Sequence, residues 1–340
     1  MSKTKVGVIG VGHHGRHHAR NLAAMTDVEL VGVVDASESN AKAIADLYHT
    51  KAYADPGDLL DKVDAVCVVV PTVAHHPVAI PFLRRGIATF VEKPLAFRVD
   101  EAKEMVRLAD RHQAVLQVGH IERYNPAWVA AERYAPRPTY MQALRLSKFP
   151  FRGLDVSVVF DVMIHDLELV LSLAECQVES VDVTGMSMLS QTADRVETHL
   201  RFSNGARADL VASRVHHEPV RQMRLWSSAG HLEIDFMRRT STTMQAHSSV
   251  RAASSRHFSP SLTVEEREAM LRDMFAVETV QHDAKVEPIR LELEDFVHCQ
   301  RHGESPKVAG RHGCAAVELA HRIEMLLQES EIRPALRKSA

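Results

Sequence analysis

The 340-residue chain has few of the residues that mark disulfide-rich or membrane proteins. Its four cysteines, Cys67, Cys176, Cys299 and Cys314, lie far apart and form no C-x-x-C pair. This spacing predicts reduced, mostly buried thiols rather than a disulfide or zinc framework. No apolar run reaches the roughly 18 residues that a membrane-spanning helix needs, so we expect no membrane-embedded part.

Neither sign of charge dominates, since 41 Lys and Arg residues stand against 44 Asp and Glu residues. A net charge of −3 gives no basis for binding nucleic acid or an anionic membrane, and we expect neither as a partner. The 21 histidines include adjacent pairs, but none has a metal-ligand spacing such as H-E-x-x-H, so we expect no metal. The N-terminus leads directly into a predicted strand without a signal peptide, which predicts a cytoplasmic protein.

Glycine is also scarce, with 15 residues in the chain, yet three of them form the pattern Gly10-x-Gly12-x-x-Gly15. An acidic residue, Asp35, follows twenty residues after the third glycine. The flanking sequence predicts a strand at Val6–Ile9, a helix at Arg16–Met25 and a strand at Val28–Val34. A glycine pattern between a strand and a helix, with this acid after the next strand, is typical of a dinucleotide-binding loop.

Each residue of this pattern has a physical role in such a loop. Gly10 permits a tight turn, Gly12 lets a diphosphate approach the backbone, and Gly15 lets the helix pack close to the strand. The start of the helix offers free N–H groups and a positive dipole end to the phosphates. Asp35 would accept hydrogen bonds from the adenine ribose and repel a 2′-phosphate, so the sequence predicts NAD rather than NADP.

The remainder of the first 120 residues continues the alternation of strand and helix. The predicted elements are a helix at Ser39–Tyr48 with Ser39 as its N-cap, a strand at Ala65–Val70, a helix at His76–Arg85, a strand at Ala88–Val91, a helix at Val99–His112 and a strand at Val115–Val118. This order predicts an α/β Rossmann domain with an open parallel sheet. Ligands of such sheets bind beyond the carboxyl ends of the strands, where Gly10, Asp35, Pro71, Glu92-Lys93 and Gly119-His120 fall.

The second half shows strand-like alternation instead. Val196, Thr198, Leu200 and Phe202 would share one face of a strand, and Ser203-Asn204-Gly205 predicts a hairpin turn. We predict an α+β domain with a mostly antiparallel open sheet, a helix at Val158–Leu173 and a long loop at Ser241–Ser261. The predicted domains are residues 1–122, which bind NAD, and residues 123–340, which bind substrate and mediate oligomerisation.

Two groups in the sequence suit proton transfer. Lys93 follows a buried strand, and its ammonium can stabilise a developing alkoxide near the nicotinamide. Asp161 and His165 lie four residues apart and share one face of a predicted helix, so the carboxylate can orient the imidazole as a general base. Each group also has a purely structural interpretation: Lys93 as a lysine that reaches solvent, and His165 as a buried histidine beside an N-cap acid. The sequence does not show whether Lys93 or His165 is the base.

Basic and polar residues after the last parallel strand suit a phosphate-bearing substrate. Arg123 and Asn125 can reach a polar ligand, and Lys148, Arg152 and Arg145 add positive charge downstream. The alternative interpretation of these residues is a solvated basic surface.

Taken in order, the motifs resemble those of the Gfo/Idh/MocA oxidoreductases. The resemblance rests on Gly10-Val-Gly12-His-His-Gly15, Pro71-Thr-Val-Ala-His75, Glu92-Lys93-Pro94, Arg123, Asp161-x-x-x-His165 and Gly310-Arg-His-Gly313. It covers nearly the whole chain. The family usually has Asn where this chain has Thr72, which alters a contact near the nicotinamide ribose.

The segments at 118–126, 161–166 and 286–295 resemble the nucleotide-sugar branch of that family. The resemblance implies an NAD-dependent enzyme that oxidises the C3 hydroxyl of a UDP-sugar, with UDP-N-acetylglucosamine as the substrate and its uronic acid as the alternative within this branch. It further implies a sugar aminotransferase as the next enzyme towards a 3-amino sugar of lipid A, and a homodimer or homotetramer formed through the C-terminal sheet. The alternatives are an inositol- or glucose-type dehydrogenase and a non-catalytic NAD-binding regulator.

The motifs and the resemblance together define three sets of candidate site residues. The catalytic candidates are Lys93, Asp161 and His165. The cofactor-binding candidates are Gly10, Gly12, His13, His14, Gly15, Asp35, Pro71, Thr72, His75, Glu92 and Lys93. The substrate-binding candidates are Lys93, Arg123, Tyr124, Asn125, Lys148, Arg152, Asp161 and His165.

Overall fold

The structure is a computed structural model that describes residues 2–132, 137–151, 156–247 and 262–330. The chain divides into two compact units. The N-terminal unit comprises Met1–Tyr124, Leu167–Leu171 and Val286–Met325, and the C-terminal unit comprises Asn125–Asp166, Ser172–Lys285 and Leu326–Ala340. The assignment of NAD binding to residues 1–122 and of substrate binding to residues 123–340 stays a prediction.

The N-terminal unit contains a six-stranded sheet in which every pair of neighbouring strands is parallel. The strands are β1 (Thr4–Ile9), β2 (Val28–Val34), β3 (Lys51–Tyr53), β4 (Ala65–Val68), β5 (Ala88–Glu92) and β6 (Leu116–Gly119), in the order β3-β2-β1-β4-β5-β6. The predicted open parallel sheet is therefore confirmed. All the carboxyl ends lie along one edge, which brings the residues that follow the strands to that edge.

Nine α-helices are present in the part of the chain that the structure describes. They are α1 (Gly15–Ala23), α2 (Glu38–Leu47), α3 (His75–Leu83), α4 (Val99–His112), α5 (Pro126–Ala131), α6 (Ile164–Ala174), α7 (Val264–Met274), α8 (Pro288–His302) and α9 (Gly310–Ser330). Within the N-terminal unit, α1 and α8 pack with β1, β4 and β5 into one apolar core. Val8, Leu22, Phe90 and Phe296 are buried there, and burying a side chain of this size contributes about 1.5–3 kcal/mol.

The C-terminal unit contains an eight-stranded sheet. Its strands are β7 (Tyr140–Leu146), β8 (Val178–Met186), β9 (Arg195–Phe202), β10 (Arg207–Ser213), β11 (Val220–Ser227), β12 (Gly230–Asp235), β13 (Thr240–Ala246) and β14 (Phe275–Gln281), in the order β14-β13-β12-β11-β7-β10-β9-β8. The pair β7 and β10 is parallel and the other pairs are antiparallel, which confirms the predicted mostly antiparallel sheet. Val196, Thr198, Leu200 and Phe202 of β9 are all buried on one face, as predicted.

Two local predictions were wrong. The N-cap of α2 is Ser37 rather than Ser39, because the Ser37 backbone is extended and its Oγ accepts a hydrogen bond from the Asn40 N–H. The first part of the predicted loop at Ser241–Ser261 is strand β13, which pairs with both β12 and β14. Its alternation of buried Ser241 and Thr243 with half-buried neighbours is that of a strand, despite the polar composition. Residues 248–261 of that loop lie outside the described residues.

Candidate active site

The glycine pattern forms the turn between β1 and α1, and two of its positions admit no side chain. Gly10 has a φ of +87°, and a Cβ there would lie 2.3 Å from the carbonyl oxygen of Val69. A Cβ on Gly15 would lie 1.8 Å from the carbonyl oxygen of Gly10. Gly12 differs, because nothing lies within 4 Å of the Cβ position and the residue is exposed. The turn is therefore tight on its inner side and open at Gly12.

This turn fits the phosphates of a dinucleotide. The first turn of α1 contains no acidic residue, and its N-cap, His14, makes no side-chain capping bond. His13 and His14 are both exposed in the loop, and Arg16 Nη2 lies 2.9 Å from His13 Nδ1. The open backbone at Gly12 and the positive end of the helix are the features that bind anionic phosphate groups.

Asp35 follows β2, and its carboxylate is held against this turn. Its Oδ2 accepts a hydrogen bond from the Val11 N–H at 2.8 Å, and its Oδ1 accepts one from the Ser37 N–H at 2.9 Å. A carboxylate oxygen has two lone pairs, so both oxygens retain a lone pair for a ribose hydroxyl. The two backbone bonds fix the orientation that such recognition requires.

Replacing Asp35 by serine is expected to raise the KM for NAD by about 10–100-fold, because a hydrogen bond to a charged group contributes about 1.5–3 kcal/mol. The preference for NAD over NADP should fall, because the charge that repels a 2′-phosphate is gone. Steady-state kinetics with both cofactors measures this effect. The control is Asp55→Ser, since Asp55 also accepts a backbone bond in a turn, from Gly57 N–H. A similar change in KM in both variants would contradict the assignment of Asp35.

Lys93 follows β5 and is half-buried beside Glu92. The Glu92 carboxylate accepts a hydrogen bond from the Lys93 N–H at 3.1 Å, and its other oxygen lies 2.9 Å from His18 Nε2 of α1. Burial acts to raise the pKa of Glu92, but the hydrogen bond and charge of His18 and the N–H and charge of Lys93 outweigh it, so the pKa is lowered. Glu92 is thus an ionised group that links the lysine backbone to α1.

His75, at the start of α3, ties the end of β4 to the segment after β5. Its ring is buried, with Nδ1 2.8 Å from the Pro94 carbonyl oxygen and Nε2 2.9 Å from the Val70 carbonyl oxygen. Burial lowers the pKa of His75, although both carbonyl oxygens act to raise it. These contacts position Pro94, the residue after Lys93, while direct contact of His75 with the cofactor stays a prediction.

His120 follows β6, and burial and the charge of Lys93 both affect its pKa. Burial and then the positive charge of Lys93 lower the pKa of His120 to about 3. Pro71 is exposed and Thr72 half-buried at the end of β4, on the same edge of the sheet. The predicted cofactor residues of the N-terminal unit therefore follow neighbouring parallel strands, as the pattern predicted.

In the C-terminal unit, Asp161 and His165 flank a change of helix type. Asp161 lies in a π-helical turn, Val159–Met163, and His165 lies in the first turn of α6. Single π turns occur in α-helices frequently at functional sites. Asp161 is exposed and His165 half-buried. The predicted helix at Val158–Leu173 is present, and its π turn was not predicted.

The residue after His165 fixes this helix to the sheet. Asp166 accepts two hydrogen bonds from the Arg145 guanidinium of β7, at 2.8 and 2.9 Å, and both side chains are buried. The Arg145 guanidinium also lies over the Phe236 ring, 5.8 Å from its centre. Arg145 therefore has a positioning role, which its interpretation as a phosphate-binding charge did not foresee.

A second buried ion pair holds the segment that leads into the π turn. Arg214 Nε donates to Asp194 Oδ1 at 2.8 Å, and both side chains are fully buried. Asp194 also accepts N–H bonds from Met188, Leu189 and Ser190. Burial acts to raise the pKa of Asp194, but the hydrogen bond from the Ser190 hydroxyl, together with the backbone and Arg214 bonds, lowers it far below its ordinary value. Arg214 donates as well to the carbonyl oxygen of Val156 at 2.7 Å, and the Val158 N–H bonds to Ala193.

Five predicted substrate-binding residues remain besides Lys93, Asp161 and His165. Three of them have intramolecular partners: Arg123 donates to Glu168 at 3.0 Å, Tyr124 donates to Asp295 at 2.7 Å, and Asn125 accepts the Ala127 N–H at the start of α5. Lys148 is exposed after β7. Arg152 lies outside the described residues. The substrate contacts of all five stay predictions.

Sequence reasoning missed His18 and Glu292, two buried polar residues of the N-terminal unit. Both were detectable by helical periodicity. His18 follows Gly15 by three residues and precedes Leu22 by four, which places it on the buried face of α1. Glu292 adjoins Leu293 and precedes Phe296 by four residues, on the apolar face of α8. An ionisable residue on the buried face of a helix is the signal that went unused.

Within the described ranges, no helix is both long enough and apolar enough to cross a membrane. Nor do the described residues include a group of three or more His, Cys, Asp or Glu side chains that could hold a metal ion.

The parallel sheet, the glycine turn and Asp35 together define a dinucleotide-binding Rossmann unit. The family model of the NAD-binding Rossmann fold of the Gfo/Idh/MocA oxidoreductases matches residues 4–120, and the model of the C-terminal domain of that family matches residues 128–233. The chain belongs to the Gfo/Idh/MocA oxidoreductase family, and NAD is its cofactor.

Individual relatives extend the match. The chain is 37% identical to UDP-N-acetylglucosamine 3-dehydrogenase of Acidithiobacillus ferrooxidans over 71% of this chain and 76% of that protein. The structure of that protein superposes with a TM-score of 0.84 over 96% of this chain and 97% of that chain. The chain is 28% identical to scyllo-inositol 2-dehydrogenase (NAD(+)) of Bacillus subtilis over 62% of this chain and 68% of that protein.

Proposed function

We propose that this enzyme oxidises the C3 hydroxyl of a UDP-sugar with NAD, and that the sugar is UDP-N-acetylglucosamine. The observation that carries the proposal is the 37% identity to a UDP-N-acetylglucosamine 3-dehydrogenase. The two chains also share the fold over 96% of this chain, which includes both units. The presence of Lys93, Asp161 and His165 favours an enzyme over a non-catalytic NAD-binding regulator, because a regulator needs no proton acceptor.

The Gly10–Gly15 turn would hold the diphosphate of NAD, and Asp35 would hold its adenine ribose. Bound NAD supplies the acceptor for the hydride that leaves the sugar carbon. As the C–H bond breaks, the O–H bond of the same carbon must lose its proton to a base, so that the carbonyl forms. Either Lys93, as the neutral amine, or the His165 imidazole, oriented by Asp161, takes this proton. Glu92 and His75 position the Lys93 segment, and Asp166 with Arg145 positions His165.

A substrate panel tests the proposal. The purified enzyme is given NAD with UDP-N-acetylglucosamine, its uronic acid, free inositol or glucose, and NADH absorbance is followed. We expect the highest kcat/KM with UDP-N-acetylglucosamine and competitive inhibition by UDP. Higher activity with the uronic acid would reassign the sugar within the nucleotide-sugar class. Turnover of inositol or glucose without UDP binding would overturn the class, and no turnover in the whole panel would favour the regulator.

The chemistry of the product indicates what must follow. A 3-keto sugar nucleotide is a substrate for a pyridoxal-type aminotransferase, and we propose that such an enzyme converts it to a 3-amino sugar for lipid A.

We further propose that the protein is cytoplasmic and forms a homodimer or homotetramer. One face of the eight-stranded sheet carries Tyr140, Trp226 and His231, and their rings contact one another in sequence across three strands. This aromatic surface supports the proposal that copies of the chain contact one another through the sheet. Light scattering of the purified protein measures the number of subunits.

A further inference from the structure

Glu292 is a buried carboxyl group for which the proposed reaction has no role. It lies on α8 within the N-terminal unit and is 1% exposed. Among the residues that the structure describes, neither of its side-chain oxygens has a hydrogen-bond partner. A buried carboxylate without a partner is far more costly than a neutral carboxylic acid, so this environment favours the protonated form.

Polar atoms of two other elements are also unsatisfied in the same unit. Gln117 of β6 donates through Nε2 to the main-chain carbonyl oxygen of Glu292 at 2.9 Å and to the Tyr124 hydroxyl at 3.2 Å. Its Oε1 and the His18 Nδ1 lack a hydrogen-bond partner within the described parts of the chain. Gln117 Oε1 thus belongs to a side chain that already contacts Glu292, and it is an acceptor that a neutral carboxylic acid can satisfy.

The second carboxyl group of this region, Glu92, has the opposite surroundings. It receives a backbone N–H from Lys93 and a ring nitrogen from His18, whereas Glu292 receives no donor from the described residues. Burial, and then repulsion by Glu92 and Asp295, raise the pKa of Glu292 well above its ordinary value, while the pKa of Glu92 is lowered. Two interacting carboxyl groups in unlike surroundings divide in this way into one acid and one carboxylate.

We propose that Glu292 is a positioning residue that stays protonated and hydrogen-bonds to Gln117. Because Glu292 is neutral, Glu92 is the ionised group that holds His18 and the Lys93 backbone. Its link to catalysis rests on the proposed function of Lys93. The other titratable groups that face Glu292 are Asp295 on the same helix, Cys67 on β4 and Tyr124 after β6. The pKa values of Cys67 and Tyr124 are raised, so both are neutral near pH 7 and add no charge.

The first experiment compares Glu292→Gln with the wild-type protein and needs no substrate. A carboxyl that stays protonated in the folded state but ionises in the unfolded state binds more protons when folded. Stability therefore falls as pH rises from its unfolded pKa near 4.5 to its raised folded pKa. One such proton changes the folding equilibrium constant about tenfold per pH unit. We expect this loss in the wild type, measured by urea unfolding from pH 4 upwards, and its absence in Glu292→Gln.

The control is Glu294→Gln on the same helix, since Glu294 is exposed and pairs with Arg290. It should keep the wild-type pH slope. A wild-type slope in Glu292→Gln would overturn the proposal. A second readout, the infrared band of a protonated carboxyl in the wild-type protein at neutral pH, does not depend on any variant folding. The band should be lost in Glu292→Gln, and its absence from the wild type would also overturn the proposal.

The coupling to Glu92 and to catalysis is tested separately. In Glu92→Gln the neighbouring negative charge is gone, so Glu292 should ionise at lower pH. If the pH midpoint of Glu292 ionisation, followed by its infrared band, is the same as in the wild type, the two carboxyl groups do not interact. Glu292→Gln should retain wild-type NADH formation at pH 7, and Glu292→Lys, which introduces a buried charge, should lose it. If the panel above shows no turnover, the proposed function fails while the unfolding and infrared results still decide the state of Glu292.

Discussion

Replacement of Lys93 by methionine should lower kcat by about 10²–10⁴-fold, the usual share of a positioned acid or base. Methionine keeps the unbranched shape of the side chain and removes its ammonium group. The backbone bond from Lys93 N–H to Glu92 should remain, because it does not involve the side chain. The measurement is the rate of NADH formation at saturating sugar and NAD, together with NAD affinity by fluorescence titration.

The matched control is Lys103→Met, because Lys103 is an exposed lysine of α4 that pairs with Glu318. It should leave kcat unchanged. The same assay on His165→Asn, repeated across pH, then separates the two candidate bases, since loss of the acidic limb of the kcat–pH profile in one variant identifies the group that takes the proton. Wild-type kcat in both Lys93→Met and His165→Asn would remove both residues from the mechanism.

Arg214→Met should lower the free energy of unfolding by about 3–5 kcal/mol, the cost of breaking a buried ion pair by removing one partner. Asp194 would remain buried without its cation, and the Val156 carbonyl oxygen would lose the Arg214 donor. Because this pair holds the segment before the π turn, we expect catalytic activity to fall as well. Urea unfolding measures the first effect and NADH formation the second.

A surface pair provides the control for this prediction. Arg195 and Glu197 form a half-exposed pair on β9, and Arg195→Met should cost no more than about 1 kcal/mol. The double variant Arg214→Met with Asp194→Asn should be less destabilised than Arg214→Met alone, because asparagine keeps an acceptor for the Met188, Leu189 and Ser190 N–H groups and leaves no unpaired charge inside. Equal losses of unfolding free energy in Arg214→Met and Arg195→Met would show that the buried pair contributes no more to stability than the pair on β9.

The parts of the fold that could be predicted from sequence are those with a local signature. Val28–Val34 and Val99–His112 match their predicted bounds, because a continuous apolar run and a strict helical period mark them. Strand β13 was missed because Ser, Thr and Gln residues form it, and only its pairing with β12 and β14 makes it a strand. β14 was missed too, and its residues are mostly exposed. Pairing with neighbouring strands, rather than the local sequence, makes both segments strands.

The same distinction applies to the candidate site. The glycine turn was predictable because backbone sterics demand glycine at Gly10 and Gly15, and the place of Asp35 was predictable because it directly follows an apolar strand. The roles of Arg145 and Arg214 were not, since their partners Asp166 and Asp194 lie about twenty residues away along the chain. A sequence shows that an arginine is present, and only the folded chain shows whether a carboxylate is buried beside it.

The bond between His18 and Glu92 bears on how the cofactor preference of this enzyme can be redesigned. His18 belongs to the helix that begins at the glycine turn, and Glu92 immediately precedes Lys93. A transplanted turn and helix that lack a histidine at this position would leave Glu92 without its imidazole. Successful grafting therefore requires that the histidine travel with the new turn, or that the strand before the lysine be exchanged with it.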